Sequence, residues 1–101
     1  MKRTTAVILA VMLINSGAAF AAAPAALWAQ HCAACHGKDG SGNTAMGKKL
    51  AIINYTKDQS FSDAEATNII KSGKGKMKGF KDKLSDADVK ALVAYIRSFK
   101  K

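Results

Sequence analysis

The sequence predicts an all-α domain, and three observations carry that prediction. Ser62-Asp63-Ala64-Glu65 and Ser85-Asp86-Ala87-Asp88 each place a serine three residues before an acid, the pattern that caps a helix start. Val89, Leu92, Val93, Ile96 and Phe99 then recur at helical spacing. No alternating run bounded by turn residues marks a strand or hairpin. With 101 residues, the chain has room for one domain.

Part of that length reads as a secretory signal. Lys2 and Arg3 form the charged start, Ala6 to Ile14 the apolar centre, and Ala18 to Ala23 the small-residue region. Ala19-Phe20-Ala21 predicts cleavage after Ala21, with Ala22 or Ala23 as neighbouring options. The apolar run falls short of the ~18–20 residues of a membrane span, so no anchor is expected after processing. Residues 22–101 remain as the exported, periplasmic domain.

Pro24 suits a first helical turn, where a missing N–H costs nothing. Ala25 to Cys35 reads as a helix, with Leu27, Trp28, Cys32 and Cys35 on or near one face. Trp28 reads as a core aromatic. His31, beside Cys32, reads as an exposed helix residue and not as a ligand. The glycine-rich run from Gly37 to Asn43 follows. It lacks the preceding strand and the lysine-serine ending of a phosphate cradle, so its glycines serve a tight turn. Lys48 to Asn54 reads as a short helix or turn. A capped helix runs from Ser62 to about Lys71, carries Ala66, Ile69 and Ile70 on its apolar side, and can end at Gly73. The last helix follows Ser85 and ends in basic residues, as the helix dipole prefers.

Within this frame, Cys32-Ala33-Ala34-Cys35-His36 spells C-x-x-C-H, the attachment pattern of a c-type haem. Thiols three apart share one helix face and can each form a thioether to one of the two vinyl groups of a porphyrin. The adjoining His36 then supplies the proximal iron ligand. A structural zinc site usually needs four Cys or His ligands, and only His31 remains as a further candidate. A thioredoxin-like pair would sit in a βαβ unit, which is missing here. Export suits haem attachment, and the motif consumes both cysteines. A disulfide closing so small a loop would restrain the unfolded chain little.

Gly73-Lys74-Gly75-Lys76-Met77-Lys78-Gly79-Phe80 places one thioether between glycines and lysines. Met77 is therefore expected as the distal iron ligand, with Phe80 shielding the haem. Met46 is the rival. It follows His36 by only ten residues, in a loop expected on the proximal side. His/Met ligation raises the reduction potential, because soft sulfur favours ferrous iron.

Residues 22–101 resemble a small monohaem class I cytochrome c over nearly their whole length. The resemblance rests on Trp28 four before Cys32, on C-x-x-C-H-G-x-D-G from Cys32 to Gly40, on Gly75-Lys76-Met77-x-x-Phe80, and on the capped last helix with Tyr95. It implies a compact cytochrome c fold in which the first and last helices cross around one covalent haem, with Trp28 and Tyr95 meeting near the crossing. Two positions depart from the pattern. Ala45 stands where similar proteins often carry proline, in the loop whose carbonyl accepts the proximal histidine N–H. Lys78 follows Met77 where they often carry a second proline.

The function expected is electron transfer. With both axial positions closed by protein, the iron cycles between ferric and ferrous and the protein is not an enzyme. The alternative is a labile Met77 that opens the iron to peroxide, carbon monoxide or nitric oxide. Lys71, Lys74, Lys76, Lys78, Lys81 and Lys83 surround the Met77 loop and suit an acidic redox partner. Of 16 Lys and Arg, Lys2 and Arg3 leave with the signal, so 14 face 7 Asp and Glu. Arg97 is then the one arginine, and lysine charge without arginine forks or interleaved aromatics speaks against nucleic acid. A monomer is expected.

Overall fold

A computed structural model describes residues 23–101, and the expected signal over residues 1–21 lies outside them. Five helices and one short strand pair make up the described chain: α1 (Pro24–His31), α2 (Ala33–His36), α3 (Ala45–Lys49), α4 (Asp63–Ser72), β1 (Gly73–Lys74), β2 (Met77–Lys78) and α5 (Asp86–Arg97).

Local chemistry explains most of the boundaries. Pro24 occupies the first turn of α1. Both serine caps form in full: the Ser62 hydroxyl accepts from Glu65 N and the Glu65 carboxylate accepts from Ser62 N, and Ser85 and Asp88 repeat the exchange. Gly73, at φ 84°, ends α4 where a side chain would be strained. The helix expected over 25–35 breaks at Cys32, whose φ of −120° divides α1 from α2. The short helix expected within 48–54 instead begins at Ala45, because the Thr44 side chain caps it by accepting from Gly47 N.

One feature runs against the reading of a strand-free chain. Gly73 pairs with Lys78 and Lys74 with Met77 in a two-residue antiparallel ladder, turned at Gly75 with φ 58°. Two residues a side are too few to show any period-2 signal. The described chain is otherwise all-α, as expected.

The core lies where α1, α4 and α5 meet. Leu27 and Trp28 from α1, Ala66 and Ile70 from α4, and Val89, Leu92, Val93 and Ile96 from α5 are buried, with Phe80 and Leu84 from the intervening segment. Trp28 packs against Tyr95 at 6.0 Å and Phe99 at 5.0 Å between ring centroids, joining the two end helices as expected. Arg97 ties the 59–63 segment to α5. It donates to the carbonyls of Gln59 and Phe61, pairs with Asp63 at 2.9 Å and lies over the Phe61 ring.

Candidate functional site

α1 and α2 carry Cys32, Cys35 and His36 onto one wall of a cavity of about 540 Å³, and the β1–β2 turn carries Met77 to it. Leu50, Ile52 and Phe80 supply apolar lining, and His31, Lys49, Lys74, Lys76 and Lys78 complete it. A smaller cavity of about 160 Å³ shares Cys32, His36, Lys74 and Met77 with the first and runs in towards Tyr55, Phe61 and Leu92. Together they lie within the ~300–1,000 Å³ range of cofactor pockets.

The four residues singled out from sequence are thus brought together. Met46, the rival thioether, is 43% exposed on α3 and lies outside both linings. Phe80 is buried on the cavity wall, as expected. His31 differs from its reading as an exposed residue. It is half-buried, lines the cavity and packs against Phe80 at 5.4 Å, at the end of α1 where the helix breaks.

The chemistry of the donors suits haem. Both thiols are free of a disulfide, and burial, with the neighbouring Cys35, pushes the Cys32 thiol up to about 11, so it is held as a neutral thiol. Burial holds His36 below the ordinary imidazole range, which keeps it neutral and able to ligate a metal. Its ring stacks on Tyr55 at 5.3 Å with planes 17° apart and approaches Trp28 at 5.6 Å. His36 Nδ1 is buried with no hydrogen-bond partner among the described residues. The loop carbonyl implied for it near Ala45 forms no hydrogen bond with it, and residues 45–49 coil into α3. No cluster of three or more His, Cys, Asp or Glu suited to a metal ion occurs among the described residues, which leaves the zinc reading without a ligand set.

Charge around the larger cavity has one sign. Lys49, Lys74, Lys76 and Lys78 are all exposed while lining it, so they form its rim, and no carboxylate joins them. Lys71 is committed elsewhere: its Nζ donates to Asp86 Oδ1 at 2.7 Å. Lys49 and Tyr55 were not singled out from sequence: Lys49 ends a five-residue helix too short to show periodicity, and Tyr55 lies in an irregular segment. Thr44, a serine/threonine-type residue directly before a helical turn, left the one usable signal among the missed residues.

Residues 19–96 match the family described as "Cytochrome C oxidase, cbb3-type, subunit III". The chain is 41% identical over 87 residues to "Cytochrome c6" of Picosynechococcus sp., covering 78% of this chain and 73% of that protein. It is 32% identical over 98 residues to "Cytochrome c6, chloroplastic" of Chlamydomonas reinhardtii, covering 90% of this chain and 65% of the relative. A 38% identity over 76 residues links it to 14% of the "Dihydro-heme d1 dehydrogenase" of Pseudomonas aeruginosa. Among solved structures, the KustC0563 c-type cytochrome superposes with a TM-score of 0.71 at 36% identity, covering 77% of this chain and 98% of that one. A point mutant of the same cytochrome gives a TM-score of 0.70.

Proposed function

Because the chain belongs to the cytochrome c family, electron-transfer proteins with covalently bound haem c, we propose that Cys32, Cys35, His36 and Met77 hold its haem. The observation that carries this reading is their convergence, from two helices and a distant turn, on one cavity. Cys32 and Cys35 would anchor the porphyrin through thioethers, His36 would take the iron through its neutral imidazole, and Met77 through its sulfur. When bound, haem supplies a one-electron ferric/ferrous couple.

The protein residues then decide how that couple is used. With His36 and Met77 both holding the iron, the protein would leave no position there for a substrate, and the chain would act as a carrier, not an enzyme. The soft Met77 sulfur favours the ferrous state and raises the potential. Phe80, Leu50 and Ile52 give the same cavity apolar walls that would shield the haem from water. The rim of Lys49, Lys74, Lys76 and Lys78 suits a respiratory redox protein with an acidic docking surface. Residues 22–101, freed of the signal, would serve as a periplasmic monomer. Among the described residues no helix is long and apolar enough to cross a membrane.

A visible spectrum of the ferric protein tests the ligand set. Met77→Ala is expected to abolish the red-region methionine–iron charge-transfer band, and Met46→Ala to leave it intact. The reverse result overturns the assignment.

A further inference from the structure

His36 is the residue whose orientation the cavity most needs to control. A ligating imidazole is commonly fixed by a hydrogen bond from its second ring nitrogen, which sets both tautomer and ring plane. Here His36 Nδ1 is buried and unpartnered among the described residues. The backbone that carries the ring and the aromatic walls of Tyr55 and Trp28 beside it are what hold it among the described residues.

That backbone has one side-chain tether. Thr44 Oγ1 donates to the Cys35 carbonyl at 2.7 Å and accepts from Gly47 N at 2.8 Å. The Cys35 carbonyl belongs to the last turn of α2 and the Gly47 amide to the first turn of α3, both groups that their own helices leave unpaired. A single hydroxyl thus bolts α2 to α3. Among the described residues no other side chain hydrogen-bonds the backbone of residues 32–36. The packing leaves no slack, since a Cβ on Gly47 would overlap the carbonyls of Gly42 and Cys35. Gly42 N, in turn, donates to the His36 carbonyl at 2.7 Å.

We propose that Thr44 is the positioning residue of His36: its hydroxyl fixes the plane of the proximal imidazole by clamping the Cys35 carbonyl to α3. This rests on haem ligation by His36. Thr44 touches neither iron nor porphyrin in this role and acts only through the peptide adjoining the ligand.

The test uses the ferric holoprotein, with the hyperfine-shifted ring protons of His36 read by NMR and the low-spin signal by electron paramagnetic resonance. Thr44→Val keeps the shape and removes the hydroxyl. The ring resonances are expected to move and the low-spin signal to broaden as the imidazole samples a spread of planes, and Thr44→Ser is expected to restore both. Ser85→Ala removes a comparable cap from α5 and should lower stability while leaving both signals unchanged. A Thr44→Val protein with wild-type signals would make Thr44 a helix cap only and sink the proposal, as would equal shifts in Ser85→Ala. If Thr44→Val does not accumulate, Thr44→Asp takes its place. Its carboxylate still accepts from Gly47 N but cannot donate to Cys35, so the ring resonances should still move, and unmoved ones overturn the proposal. Wild-type protein without a low-spin haem signal would instead overturn the His36 and Met77 ligand pair on which the proposal rests.

Discussion

Trp28 shows how a single side chain serves both the core and the site. Its Nε1–H donates to the Gly37 carbonyl at 2.8 Å, in a buried bond that bends the chain back just past C-x-x-C-H. Gly37 can make that bend because its φ is 87°. Trp28 is 2% exposed, so Phe at this position keeps most of the apolar area but strands a buried acceptor. Trp28→Phe is expected to cost ~1–3 kcal/mol, measured by denaturant unfolding of the holoprotein. The face of Trp28 was readable from its distance to Cys32. Its hydrogen bond to a glycine nine residues away was not, since that needs the turn already made.

The helices depend on their starts. Each serine cap satisfies backbone N–H groups that the first turn would otherwise leave open, so Ser62→Ala and Ser85→Ala are each expected to cost about 1 kcal/mol by thermal or chemical melting. The caps also carry a pH dependence. Hydrogen bonds from Ser62 hold the Glu65 carboxyl below its ordinary 4.5, and the Lys71 ion pair holds Asp86 below 3.8. A carboxyl with a depressed folded pKa stabilises above its unfolded value and loses that contribution as pH falls through the folded one. Stability is therefore expected to decline on acidification below about 4.5, and Glu65→Gln to weaken that decline in melts taken from pH 7 down to pH 3. Both carboxyls are exposed, so each effect is small. The β1–β2 pair is the contrasting case. Its two residues a side owe their ladder to the Gly75 turn and to the tight approach of Gly73 to the backbone at Met77 and Lys78, not to strand propensity.

For the molecule as a whole, the haem would complete the core. A domain as small as the described residues 23–101 buries little apolar surface of its own, and two cavities that share Cys32, His36, Lys74 and Met77 open within it. The double variant Cys32→Ala, Cys35→Ala, made without haem, is expected to show no cooperative melting transition by circular dichroism. A sharp transition would show that the polypeptide core suffices. The lysine rim acts over longer range. Electron-transfer rates with an acidic redox partner are expected to fall on the order of tenfold or more from low to high ionic strength, as screening removes the steering field. Rates indifferent to salt would reduce the lysines to a solubility role.

Adjacency along the chain made the haem motif, the caps and the spacing of α5 legible, because each is a local pattern: two thiols and an imidazole within five residues, a serine three before an acid, apolar residues at helical intervals. Met77 could also be proposed early, since a lone thioether between glycines and lysines has little reason to be there otherwise. Other features required the folded chain. The packing of His31 on Phe80, the stacking of Tyr55 on the His36 ring and the two hydrogen bonds of Thr44 all depend on how the chain folds back on itself. Periodicity and spacing record what a residue does to its own helix. Which carbonyl lies within reach of which hydroxyl depends on how helices pack, and that is settled only when the core closes.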